Sequence, residues 1–190
     1  MVGHDDDWLH GWCILTNEEM ERAVDKAREI PGWTMRSELL VLARLASQVR
    51  EGGLILEIGG LRGRSTVAMA LCTMARVFVV DSFVEGHATA MLDWLSNTQP
   101  FSHVMLWRLD SRAAVKRWRL PIDLLFVDGG HSYEEAHSDI FGFGPYVPSK
   151  GHIVVHDWGT PDVKRAATEW MEAYGWQVCE QVGDLIVLRR

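Results

Sequence analysis

Leu54-Ile-Leu-Glu-Ile-Gly-Gly-Leu-Arg-Gly-Arg-Ser-Thr-Val-Ala-Met-Ala70 is the stretch whose reading decides the fold. A short apolar run bounded by glycines is a buried strand, and the run that follows it has helix-forming character. Gly59, Gly60 and Gly63 allow tight backbone geometry and close approach of a ligand, while free N–H groups opening the next helix bind an anionic group. Spacing separates three readings of this loop. A phosphate-cradling loop needs four residues between its glycines followed by Gly-Lys-[Ser/Thr]. Here three residues separate Gly59 from Gly63, and Arg64 stands in place of the lysine. The dinucleotide pattern Gly-x-Gly-x-x-Gly fails because Leu61 occupies the second glycine position. The third pattern, Glu-x-Gly-x-x-x-Gly-x-Ser-Thr, is met by Glu57, Gly59, Gly63, Ser65 and Thr66. It places a carboxylate near a cationic amino acid moiety and wraps the loop around that moiety's own carboxylate.

Beyond this loop, short apolar runs alternate with helical stretches, which predicts an α/β fold with a mostly parallel sheet covered by helices on both faces. Strands are expected near 54–58, 76–81, 104–108, 122–127, 152–156, 176–180 and 184–188, the last two forming a hairpin. Helices are expected near 64–73, 86–97, 111–118, 132–141 and 161–174. Upstream, Thr16-Asn-Glu-Glu19 reads as a helix start, and a second helix runs from Arg36 to Val49. The expected organisation is a mobile tail over 1–15 and one domain over 16–190, with a helical segment over 16–51 and an α/β core over 52–190.

In open α/β sheets ligands lie beyond the carboxyl ends of the strands. Glu57, Asp81, Asp110, Asp128 and Asp157 all fall at such ends. Asp81, followed by Ser82, is placed to accept hydrogen bonds from a ribose or to cap the next helix; Asp110 and Ser111 also read as a cap. In Ile122-Asp-Leu-Leu-Phe-Val-Asp-Gly-Gly-His-Ser-Tyr-Glu134, a strand delivers Asp128, two glycines turn the chain, and His131 and Tyr133 follow. His131 is of the residue type that serves as a general base near neutral pH, and can equally tie the turn to a neighbour.

The loop after Leu54 resembles the first motif of class I S-adenosylmethionine-dependent methyltransferases, especially small O-methyltransferases related to the catechol and caffeoyl-CoA enzymes. The Asp-Gly-x-His-x-Tyr pattern at Asp128 to Tyr133, with Gly151-His-Ile-Val-Val-His-Asp157, resembles a bacterial subgroup that includes macrolide-sugar and aminocoumarin-sugar O-methyltransferases. Ile30-Pro-Gly-Trp-Thr34 is similar to the segment that precedes their core, so the resemblance covers about residues 30–190. It implies a Rossmann-like methyltransferase fold whose seven-stranded sheet ends in an antiparallel hairpin. It implies S-adenosyl-L-methionine as cofactor, bound by Glu57, Gly59, Gly60, Gly63, Ser65, Thr66, Asp81, Ser82, Asp110, Ser111 and Asp128. Asp81 would hold the ribose, and Asp110 with Ser111 the adenine edge. The resemblance also implies magnesium on Asp128 and Asp157. The family places Asn or Asp after the fifth-strand acid, whereas this chain has Trp158, which offers no oxygen. Two carboxylates with water and substrate oxygens remain a workable magnesium set. His156 alternates to the opposite face from Asp157 in a regular strand and is not expected to be a ligand.

The composition fits these expectations. The chain has 190 residues, 47% of them hydrophobic and 24% charged, which suits one globular domain. Acids outnumber bases by 26 to 19, a net charge of −7, so a polyanionic nucleic acid is not the expected partner. Arg108, Arg112, Lys116, Arg117 and Arg119 read as a solvated basic face. Cys13, Cys72 and Cys179 read as buried thiols of a reducing, cytoplasmic compartment. No membrane span or signal segment is expected. His4-Asp-Asp-Asp7 reads as an acidic tail rather than a metal site. Of the nine tryptophans, Trp158 and Trp33 are candidates for a ligand wall, and a tryptophan-rich N-terminal region suits a homodimer.

Two roles compete. In the first, a small-molecule acceptor, expected to be a hydroxyl, is oriented by Asp128 and deprotonated by His131. In the second, the chain is a cofactor-binding module without turnover. A metal-dependent hydrolase using Asp128 and Asp157 would leave the Glu57 to Thr66 loop unexplained. The acceptor's identity, and oxygen against nitrogen, are not legible in the residues.

Overall fold

The computed structural model describes residues 15–84 and 89–190. All of the expected tail but Leu15, with the His4 to Asp7 cluster and Cys13, lies outside the described residues, as does the start expected for the helix near 86. Two helices lead: α1, Asn17–Ala27, and α2, Arg36–Ser47. Thr16 caps α1 in a reciprocal box with Glu19, as its sequence predicts. The core then alternates β1 (Leu54–Ile58), α3 (Arg64–Ala70), β2 (Arg76–Asp81), α4 (Ala90–Thr98), β3 (Val104–Arg108), α5 (Ser111–Val115), β4 (Leu124–Val127), α6 (Tyr133–Phe143), β5 (His152–Val155) and α7 (Pro161–Tyr174). A hairpin of β6 (Gln177–Val182) and β7 (Leu185–Arg189) closes the chain.

The described strands form a seven-stranded sheet in the order β3-β2-β1-β4-β5-β7-β6, parallel except where β7 pairs antiparallel with β5 and β6. Strand order reverses at β1, whose neighbours are β2 and β4; successive crossovers leave in opposite directions there, opening a crevice at the carboxyl ends. The central strands are buried on both faces, which is why they read as continuous apolar runs.

Side-chain alternation divides the core. Ile55, Val77, Val79, Phe126 and Val154 pack toward α1, α2 and α3. Leu56, Phe78, Val80, Leu125, Val127 and Val155 pack toward α5, α6 and α7, with Trp118 and Trp170 filling that side. Trp94 and Trp176 are also buried, so core packing accounts for four tryptophans.

Cys72 is buried as expected, but Cys179 is exposed. It lies on the outermost strand, where a register shift between Val178 and Glu180 bulges the chain.

Candidate active site

Beyond the carboxyl ends of β1, β2, β4 and β5 the chain encloses a cleft of about 690 Å³, a size suited to a nucleoside-bearing cofactor. Its walls include Gly59, Gly60, Ser65, Asp81, Ser82, Asp110, Ser111, Asp128, His131 and Asp157. Glu57, Gly63 and Thr66 are not on that wall. Alternation along β1 turns Glu57 toward α3, where it is fully buried and accepts hydrogen bonds from the Ser65 and Thr66 hydroxyls. Trp94 Nε1 donates to the Thr66 hydroxyl at 3.2 Å, completing the cluster. Burial raises the Glu57 carboxyl to about 8, against the opposing effect of the two hydroxyls. The acid of the first motif therefore fastens the loop to its helix, and the direct cofactor contact expected of Glu57 is absent from this geometry.

Gly59 adopts φ +91°, and a Cβ there would run into the Asp128 carbonyl oxygen. The two cleft-forming loops touch at this point, and only glycine fits. Asp81 does not cap the following helix, whose cap position is Thr89. Its carboxylate instead accepts from the amides of Gly60 (2.8 Å), Leu61 (3.0 Å) and Phe83 (2.7 Å). It thus shapes the glycine loop from the side that faces the cleft.

The opposite end of the cleft departs from the regular-strand expectation. β5 ends at Val155, and Asp157 takes φ +57°, so its carboxylate turns back toward His156. His156 Nδ1 lies 3.2 Å from both Asp128 Oδ1 and Asp157 Oδ2. Neither oxygen lies in line for a hydrogen bond, which leaves this buried nitrogen without one among the described residues. The other ring nitrogen is 3.2 Å from Glu38 Oε2 on α2. Burial opposes charge on His156, but Asp128, Asp157 and Glu38 overcome it and push the imidazole up to about 12. Asp128 is raised by burial, against the pull of His156, while Asp157 is lowered chiefly by His156. The regular-strand geometry that sets His156 apart from Asp157 does not hold: one donor atom each from Asp128, His156 and Asp157 lies within 4.8 Å of the others, a set that fits a divalent metal. His131 Nε2 stands 2.9 Å from the same Asp157 oxygen and is more than half exposed to the cleft.

At the far end, Asp110 caps α5 by accepting from the Arg112 amide at 3.0 Å, and both Asp110 and Ser111 face the cleft. Cap and wall position coexist there. Behind them sits Asp139, buried, with Oδ1 unpartnered among the described residues. Burial raises Asp139 to about 7 despite the Ser111 hydroxyl, with Glu135 and Asp110 adding to the rise. Tyr133 turns away: its hydroxyl donates to Glu169 at 2.6 Å, and Arg165 lies 4.1 Å above its ring. Trp158 also leaves the cleft, packing on the α7 side beneath Lys164, whereas Trp33 lines the cleft.

Glu38 and Asp139 go unmarked in the sequence, where Arg64 reads only as the residue in place of a lysine and His156 as set apart from the ligands. Arg64 donates to the carbonyls of Ile30 (2.6 Å) and Thr34 (3.1 Å) and lines the cleft. A cation beside a glycine loop was the available signal. His156 adjoins a strand-end acid, but its inclusion required the turned backbone at Asp157. Glu38 and Asp139 sit in helical runs and carried no signal.

This sheet order and cleft define a Rossmann-like fold of the class I methyltransferase type. A family model described as a methyltransferase domain matches residues 56–158, more than half of the chain, and the chain belongs to that family. The structure is similar to S-adenosylhomocysteine-bound methyltransferase PaMTH1 from Podospora anserina, with a TM-score of 0.69 and 14% identity over 92% of this chain and 88% of that one. It is also similar to the O-methyltransferase NovP, with a TM-score of 0.64 and 17% identity over 90% and 88% of the two chains. For precorrin-6y C5,15-methyltransferase from Geobacter metallireducens the TM-score is 0.65, with 16% identity over 85% and 92%. Identities this low establish a shared fold. Among the described residues no helix is long and apolar enough to cross a membrane.

Proposed function

We propose that this protein transfers the methyl group of S-adenosyl-L-methionine to a hydroxyl oxygen of a small molecule. The observation that carries this reading is one cleft with two distinct ends. One end has a glycine loop held by Asp81 and bordered by Arg64; the other has Asp128, His131, His156 and Asp157. The sulfonium needs no activation by the protein, which has to bring the acceptor oxygen into line with the methyl–sulfur bond.

Each end then has a role. Asp81, Ser82, Asp110 and Ser111 would hold the adenosyl part, and Ser65 and Arg64 the amino acid carboxylate. The acceptor lies over Asp128 and Asp157. A neutral His131 that donates Nε2–H to Asp157 keeps Nδ1 as a proton acceptor for the attacking hydroxyl. A divalent cation held by Asp128, His156 and Asp157 would supply Lewis acidity that lowers the acceptor's pKa.

Calorimetric titration with S-adenosylhomocysteine tests the cofactor, and transfer of labelled methyl to a panel of catechols, sugars and polyketides tests the acceptor. Saturable binding and labelled product are expected. A folded sample that binds no S-adenosylhomocysteine would overturn the reading, and binding with labelled product only on nitrogen acceptors would overturn the oxygen assignment.

A further inference from the structure

We propose that Asp128, His156 and Asp157 form a mixed nitrogen and oxygen centre selective for a divalent first-row transition metal over magnesium, with Glu38 as the residue that aims the histidine. Occupancy of this centre is independent of the methyl-transfer reading; its use in lowering an acceptor's pKa rests on that reading.

Four observations carry the assignment. Nδ1 of His156 is 3.2 Å from one oxygen of Asp128 and 3.2 Å from one of Asp157. Six-coordinate metals with bonds of about 2.1 Å place neighbouring donors about 3 Å apart, so these atoms already stand near ligand separations. The nitrogen is also buried without a hydrogen bond: His156 is 8% exposed, and among the described residues Nδ1 has the two carboxylates at ion-pair distance but no hydrogen-bond partner. A buried nitrogen that faces two carboxylate oxygens at 3.2 Å without a formed hydrogen bond is placed to exchange its proton for a metal ion bound by all three groups.

The ring's far side supplies the third observation. Glu38, 1% exposed, lies 3.2 Å from Nε2 and is fixed by the amides of Met35 (2.7 Å) and Asp184 (2.8 Å). A carboxylate that takes Nε2–H leaves Nδ1 as the ligand atom, the arrangement by which metal-binding histidines are oriented. Fourth, Asp157 holds a left-handed backbone conformation, strained for a non-glycine residue, and this turn returns its carboxylate to the His156 side.

Donor chemistry sets the selectivity. Magnesium demands oxygen ligands, whereas imidazole nitrogen suits iron, cobalt, nickel and zinc. Because most sites bind later transition metals more tightly than magnesium, the informative quantity is a change in the ratio when nitrogen is replaced by oxygen.

The test uses the full chain, stripped with chelator, and calorimetric titration with Co²⁺ and with Mg²⁺. Wild type is expected to bind Co²⁺ with saturation, and His156→Asp to lower the Co²⁺ to Mg²⁺ affinity ratio tenfold or more. Asp157→Asn should weaken both ions together. Glu38→Gln should weaken Co²⁺ by about 10- to 100-fold. Should His156→Asp fail to fold, the Co²⁺-loaded wild type still decides: a paramagnetically shifted imidazole N–H proton, protected by Glu38, is expected in its NMR spectrum. Absence of Co²⁺ binding up to millimolar concentration, an unchanged ratio in folded His156→Asp, or absence of the shifted proton would overturn the proposal. Titration of the same samples with S-adenosylhomocysteine separates the two readings: metal binding without cofactor binding removes the methyltransferase and leaves the metal centre.

Discussion

Gly59 and Asp128 share a single contact on which both cleft-forming loops depend. With φ at +91° and the Asp128 carbonyl oxygen where a Cβ would stand, Gly59→Ala combines backbone strain with a clash against backbone that cannot give way. A loss of about 3 kcal/mol or more is expected in urea denaturation, at the upper end of single-residue effects. His131 predicts the opposite profile. It is exposed and, among the described residues, pairs at ion-pair distance with Asp157 alone, so His131→Gln should leave stability and S-adenosylhomocysteine affinity unchanged while lowering kcat about 100-fold. An unchanged kcat in single-turnover assays would remove the proton-transfer role. These residues were legible because acids and glycines at strand ends carry meaning without coordinates. His156 was not, because the alternation rule excluding it assumes an extended backbone, and Asp157 breaks that assumption.

At the scale of the element, β1 shows how alternation assigns a role. Leu54, Leu56 and Ile58 face the α5 to α7 side, so Ile55 and Glu57 face α3. A buried acid there meets the hydroxyls of Ser65 and Thr66 before it can meet a ligand. Its carboxyl, raised from 4.5 to about 8, gives a definite pH dependence. The folded chain retains a proton that the unfolded chain has lost, so the stabilisation is full below the unfolded value and disappears as pH rises through about 8. Glu57→Gln should flatten that slope and gain on wild type between about pH 5 and about pH 8 in urea midpoints. Parallel curves would show that Glu57 is not the titrating group. The opening of α6 predicts a smaller effect. Ser132 and Glu135 close a capping box there, and Ser132→Ala should cost about 1 kcal/mol.

Across the whole molecule, the leading helices are joined to the α/β core at the site itself. Glu38 on α2 reaches the β5 end through His156 and the β6–β7 turn through the Asp184 amide. Arg64 ties the chain at Ile30 and Thr34 to the start of α3. Burial and the nearby Arg28 both disfavour the Arg64 charge, so an anion supplied by a ligand would relieve it. Arg64→Gln should therefore weaken S-adenosylhomocysteine about tenfold, as expected for a lost charge-assisted contact, and leave 5′-methylthioadenosine, which lacks the carboxylate, unaffected. Equal weakening of both ligands would show that Arg64 only supports the fold.

The sequence by itself determined the sheet, since periodicity and glycine punctuation fix which runs are strands. Every expected strand and the terminal hairpin are present, with ends shifted by two residues or fewer. It also determined that acids collect at one edge, because parallel strands all present their carboxyl ends there. The tertiary structure decided which of those acids meet a ligand and which meet the protein. Glu57 turned inward and Asp157 turned back, each according to local backbone direction. Only folding brought Glu38, far upstream in the chain, against His156. Strand and turn patterns are local and survive in a one-dimensional reading. A buried polar contact between distant segments is set by packing, and nothing in either segment alone specifies its partner.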